Sequence, residues 1–160
     1  MIAEFVLLWG FLATLVLTGL MTASQELGFS RMGIPFMLGT MFTADRGRAS
    51  ALGFLAHIMV GWLFALGYAL VFASLGRGGL ALGAGLGLFH GLLVLVAAMP
   101  ILPGIHPRMA SEHQGPEPTR DLEPPGFLAL NYGPRTPLVA LAAHGLYGAV
   151  LGAVYPTVAG

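Results

Sequence analysis

The chain has 160 residues, 56% of them hydrophobic and 9% charged, with zero formal net charge and a mean hydropathy of +0.82. A water-soluble domain usually carries about 25% charged residues, so these charges are too few to clothe a globule in water, and lipid is the expected covering. All seven basic residues are arginine and cysteine is absent, which leaves no basic patch for nucleic acid, no disulfides and no thiolate chemistry.

A helix that crosses a bilayer needs about 20 mainly apolar residues. Four stretches qualify, at about 2–21, 51–75, 79–100 and 137–155. The first ends near Met21-Thr22-Ala23-Ser24 and so resembles a secretory signal, but it carries Glu4 and no Arg or Lys ahead of its apolar run. It therefore reads as a retained span. The expected fold is all-α: a polytopic membrane protein, one membrane domain over 1–160, built as a four-transmembrane-helix bundle.

The connections set its orientation. Arg31, Arg46, Arg48, Arg108, Arg120 and Arg135 fall on the first and third connections, and Arg77 alone on the second. By the positive-inside rule the six-Arg side is cytoplasmic and both termini are periplasmic. The third connection, about 101–135, is a polar cytoplasmic loop. Its stretch Ser111–Pro125, with Glu112, Glu117, Asp121 and Glu123, reads as a flexible loop or a partner-docking strap. The Glu112-His113 pair has ligand chemistry for a metal, although a solvated loop is the preferred reading.

Three histidines lie inside the apolar spans, where ionisable side chains are normally excluded. At 1.5 Å per residue, His57, His90 and His144 come out at about 10, 15 and 11 Å from the Arg-rich side. They share one layer. On the structural reading each neutral imidazole donates to a neighbouring carbonyl or hydroxyl, with Thr14 and Thr18 as candidates. On the functional reading they form a site: a haem b held by His57 and His144, with Gly61 and Gly148 clearing room for the macrocycle, or a transition metal held by His57, His90 and His144. A proton or solute pathway is the third option. Catalytic zinc and a proton pump fit poorly, because no carboxylate lies at that depth.

The second and fourth spans share His-x3-Gly-x6-Tyr, at His57, Gly61 and Tyr68 and at His144, Gly148 and Tyr155. Upstream, Val16–Met21 parallels Val94–Met99, and the hydrophobic element 35–42 parallels 125–132. Two tandem two-helix repeats, each with an interfacial element, are one explanation; chance matching in a Gly-, Leu- and Ala-rich chain is the other.

Gly79, Gly83, Gly87 and Gly91 form an every-fourth ridge on the third span, a signal for close helix packing within the chain or with a partner. Most methionines sit towards the Arg-rich side: Met21, Met32, Met37, Met41, Met59, Met99 and Met109. Thioethers suit Cu(I), but methionine also fills irregular apolar gaps, and packing is preferred. Trp9, Trp62, Tyr68 and Tyr155 include candidate interfacial anchors. No phosphate loop, nucleophile elbow or zincin helix is present, and Gly83-Ala84-Gly85-Leu86-Gly87 lies within a span with no strand before it.

The run Gly28–Phe42, the His57-x3-Gly61 helix, Ala98-Met99-Pro100 and His144-Gly145-x2-Tyr147-Gly148 resemble uncharacterised bacterial four-helix inner-membrane proteins. That resemblance implies a bacterial inner-membrane location and supplies no activity, ligand or catalytic residue. The functional expectation is a non-enzymatic membrane bundle in contact with the lipid bilayer, acting as a subunit or assembly partner of a membrane complex or as a homo-oligomer. The alternatives are a haem- or metal-binding membrane protein and a small-solute or proton channel or carrier.

Overall fold

The computed structural model describes residues 2–111, 118–120 and 122–159, with side chains through 155. The Glu112-His113 pair lies outside the described residues. Four helices are long and apolar enough to cross a membrane. They are α1 (Ile2–Glu26), α3 (Arg46–Leu75), α4 (Leu80–Ile105) and α5 (Thr136–Ala159). A short helix, α2 (Ile34–Gly39), lies between α1 and α3, and a 3-10 turn, Phe127–Tyr132, precedes α5.

The helix ends follow local chemistry. Asp45 caps α3, its carboxylate accepting the Arg48 backbone N–H at 2.7 Å, so the helix begins earlier than hydrophobicity alone suggests. It stops at Gly76, whose φ of 63° needs a residue without a Cβ. The turn that follows is closed by the Gly79 N–H donating to Gly152 O at 2.7 Å. Helix α4 runs on through Pro100 and Pro103 to Ile105, past the expected stop at the first proline. The wider π turn Val94–Ala98 lies directly before, and Pro100 falls in the first turn of the segment that resumes, where its missing N–H costs least. A second π turn, Phe5–Trp9, lies in α1, and there the Trp62 indole donates to Leu7 O at 3.1 Å.

Helix α5 is the hub. It packs against α1, α3 and above all α4, while α1 also packs on α3. The α4 ridge faces α5 within the chain. A Cβ on Gly83 would strike the Gly148 carbonyl, one on Gly148 the Gly83 carbonyl, and one on Gly87 the His144 carbonyl. Gly91 abuts the His144 side chain, where a Cβ would stand 3.0 Å from His144 Cβ. Gly79 supplies the carbonyl that Gly152 meets. Such contacts bring Cα–H groups onto facing carbonyls and let dispersion act over two bare backbones.

Helix α2 lies against the start of α3 in the same manner, since Gly39 meets the Ala49 backbone and Gly53 meets the Pro35 carbonyl. His106, fully buried just beyond α4, pins it from the other side. His106 Nδ1 accepts the Arg108 N–H at 3.1 Å, which puts the ring proton on Nε2, and Nε2 donates to Met37 O at 3.0 Å. The Arg108 guanidinium adds a bond to Thr40 O at 2.6 Å.

The two sequence halves differ in packing. The matched segments pair Thr14 with Leu92 and would set Gly148 against it, yet Gly61 faces Thr14 whereas Gly148 faces Gly83 and Gly87. The interfacial elements differ as well: one is the helix α2, the other a 3-10 turn with Leu128 and Ala129 at φ of 55° and 56°. The helix pairs are therefore packed in different registers, and His57 and His144 do not occupy equivalent surroundings.

Candidate functional site

Towards the Arg-rich connections the bundle opens into a cavity of about 220 Å³. His57 on α3, His90 on α4 and His144 on α5 all line it, so the layer expected from helix depth is one place in space. Thr14 and Tyr147 border it on one side, and Met32 and Met37 from the α1–α3 connection on the other. The Tyr147 hydroxyl donates to Gly61 O at 2.6 Å and ties α5 to α3 there. Beyond that tie the bundle is filled by edge-on and tilted rings, with Tyr68 against Tyr147 at 5.6 Å, Phe72 against Tyr155 at 5.0 Å and Phe5 against Tyr155 at 5.6 Å.

Hydrogen bonds fix two of the three imidazoles. His144 Nδ1 lies 2.8 Å from Ala140 O. A carbonyl only accepts, so Nδ1 carries the proton and Nε2 the lone pair. His57 Nδ1 lies 3.0 Å from Thr18 Oγ1, and that hydroxyl gives its own proton to Thr14 O at 2.7 Å. His57 Nδ1 is therefore also the donor, and its Nε2 also keeps a lone pair. Neither Nε2 has a hydrogen-bond partner among the described residues.

His90 is different. It is only 8% exposed, and neither ring nitrogen has a hydrogen-bond partner among the described residues. Its ring stacks on Phe64 at 3.8 Å, with planes 28° apart, and meets the His144 ring edge-on at 4.8 Å. The hydroxyl of Tyr68, a residue whose ring centre is 6.1 Å from that of His90, is likewise buried and without a partner among the described residues. Leaving such a group unmade costs about 1–3 kcal/mol. A buried polar group without a partner is the exception in folded chains and asks for a physical reason.

Haem does not fit this arrangement. The space expected at Gly61 is taken by the Thr14 side chain, and that at Gly148 by the backbone of α4. The cavity of 220 Å³ is also smaller than the roughly 300 Å³ at which pockets for drug-sized ligands begin. Gly61 and Gly148 are packing residues, not walls of a macrocycle pocket. A metal bound by all three imidazoles together meets a similar objection, since among the described residues no group of three His, Asp or Glu is placed to hold an ion. Two imidazoles with free Nε2 atoms remain.

The sequence pointed to His57, His90 and His144 through depth alone, and to Thr14 and Thr18 as hydroxyl partners, of which Thr18 bonds His57 while the Thr14 hydroxyl turns to Gly10 O. It gave less notice of Tyr147, although that residue lies one helical turn from His144, or of His106, whose neighbours come from a distant segment. Comparison with protein-family models, curated proteins and solved structures finds no match to the chain.

Proposed function

We propose that this chain is a non-enzymatic, multi-pass membrane protein that binds a transition-metal ion between its helices, at the Nε2 atoms of His57 and His144. The observation that carries this reading is the second hydrogen bond of each ring. Metal-binding histidines characteristically donate their other N–H to a carbonyl or similar acceptor, which fixes the tautomer and aims the lone pair. Both rings are held in that way, and both line one cavity. Binding is favoured over catalysis because the described lining contains no carboxylate to act as acid or base.

The setting belongs to the same proposal. The six arginines on the first and third connections support a bacterial inner-membrane location with that side cytoplasmic and both termini periplasmic. A common origin for the two helix pairs rests on the shared His-x3-Gly-x6-Tyr pattern alone.

The test is metal content. Purified protein should retain a sub-micromolar, stoichiometric metal ion that is lost in His57→Ala with His144→Ala, while circular dichroism stays helical. Failure of Zn(II), Co(II), Ni(II), Cu(II) and Cu(I) alike to bind the wild-type chain would end the reading.

A role as subunit or assembly partner is the second reading. The glycine ridge no longer supports it, being occupied inside the chain. What favours it is Leu27, Phe29, Phe42 and Phe127, large apolar side chains carried outward by the connecting segments. Its occupant would be another membrane protein, detected as a stoichiometric co-purifying chain that is lost when Phe42 and Phe127 become serine.

A further inference from the structure

Methionines surround the same cavity. Met21 comes from the end of α1, Met32 and Met37 from the α1–α3 connection, and Met99 from α4. All four are buried, and they reach the cavity from three separate stretches of chain, so no single helical spacing brings them there. His106 and Arg108 hold the segment carrying Met37 in place by bonding its backbone at Met37 O and Thr40 O. The Met37 thioether is thus presented by a braced segment, and the two imidazoles are held by their own Nδ1 hydrogen bonds.

We infer that the ion held there is Cu(I), bound by His57 and His144 Nε2 together with thioether sulfur from this methionine group. The inference rests on the metal-binding reading above and narrows it to one ion. Three physical arguments select it. Thioether sulfur is a soft donor that favours Cu(I) over Zn(II), Ni(II) or Mn(II). The cost of taking an ion out of water rises with the square of its charge, so a divalent ion faces about four times the penalty of a monovalent one. No carboxylate in the described lining offsets that charge. Finally, Cu(I) accepts two or three ligands, which suits two fixed imidazoles where, among the described residues, no group of three His, Asp or Glu is arranged for a metal. No electron transfer is involved: the ion enters and leaves as Cu(I).

The experiment uses the full chain in lipid nanodiscs without oxygen. Cu(I) is delivered against a chromogenic Cu(I) chelator, and Zn(II) and Co(II) are titrated in parallel. One Cu(I) per chain is expected, together with sulfur scattering at the copper edge of the X-ray absorption spectrum. Replacing Met21, Met32, Met37 and Met99 by Leu should weaken Cu(I) at least tenfold and remove the sulfur signal. His57→Ala with His144→Ala should abolish binding of every ion. Because the quadruple variant must fold to be informative, Met32→Leu with Met37→Leu and Met21→Leu with Met99→Leu are read separately, and the wild-type sulfur signal stands without any variant. Cu(I) bound without sulfur overturns the thioether ligation, Zn(II) or Co(II) bound in preference to Cu(I) overturns the copper assignment, and either leaves a histidine metal site. No ion bound at all overturns both.

Discussion

Along most of their length α4 and α5 approach until bare backbones touch, Gly83 against Gly148 and Gly87 against the His144 carbonyl. Towards the Arg-rich connections the same bundle parts around a cavity of about 220 Å³, where the His90 nitrogens have no hydrogen-bond partner among the described residues. The first region has the traits of a structure under pressure only to pack. Its voids are filled by Tyr68, Phe72 and Tyr155, and its glycines admit nothing larger. The second holds the His90 nitrogens without hydrogen-bond partners among the described residues, beside a segment braced by His106 and Arg108. Local rules broken without compensation mark sites more often than scaffold, and the His90 ring is such a break at the cavity.

The contrast is most directly broken at the glycine contact. Gly148→Leu drives a branched side chain into the Gly83 carbonyl and the Gly87 backbone, which cannot yield as a flexible side chain would. Overpacking generally costs about 1–3 kcal/mol, occasionally more, and a backbone clash belongs at or above the upper end. The expected outcome is loss of a monodisperse peak and of the thermal transition in detergent. An equivalent substitution at Gly85, which has open space around it, should leave both unchanged. If the two variants behave alike, the ridge is not what holds α4 to α5.

His106→Ala comes next. It removes the donor to Met37 O and the acceptor for the Arg108 N–H from a fully buried position. Each stranded group costs about 1–3 kcal/mol. The loss should appear as faster hydrogen exchange over Ile34–Gly39, with α4–α5 protection intact. Equal loss of protection across both regions would mean that the wall of the cavity and the glycine contact unfold as one unit.

Tyr132 offers a milder probe of the Arg-rich side. Its phenol is pushed up to about 12 from the usual 10.0, first by burial and then by the Glu123 carboxylate, with the Arg31 guanidinium opposing. Below about pH 10 both folded and unfolded chains keep the proton, and the stabilisation is fully present. Between about 10 and 12 the unfolded chain ionises first, so stability falls as pH rises. The hydrogen bond that the hydroxyl donates to the Glu123 backbone O, at 2.6 Å, is lost with the proton. Tyr132→Phe should flatten that alkaline decline, and an unchanged decline would assign it elsewhere.

Hydrophobic length made the four long helices legible, and arginine asymmetry gave an orientation to propose. Helix ends were less legible. Asp45 extends α3 outward, and a π turn ahead of Pro100 lets α4 continue where proline alone predicts a stop. Depth along a helix brought His57, His90 and His144 into one layer, but rotation about each axis, which decides whether the rings meet, depends on contacts such as Gly91 against His144. The haem pocket failed for a related reason. A small residue beside a histidine leaves room only if no neighbour fills it, and Thr14 does so at Gly61. The methionines were the hardest to place, because they reach the cavity from different stretches of chain.

The smallest expected effect on stability separates the structural histidine from the binding one. Thr18→Val keeps the shape of the side chain and removes the acceptor for His57 Nδ1. Interhelical bonds of this kind average about 0.6 kcal/mol in lipid, so the melting temperature should barely move whichever role His57 has. Metal affinity answers differently. With its tautomer no longer fixed, His57 presents its lone pair on Nε2 only part of the time, and losing such an outer-shell partner typically weakens binding about 10–100-fold. A weakened ion on an unchanged fold makes Thr18 a positioning residue for a ligand histidine. An unchanged ion would move His57 to the packed side of the comparison and leave His144 as the one fixed imidazole at the cavity.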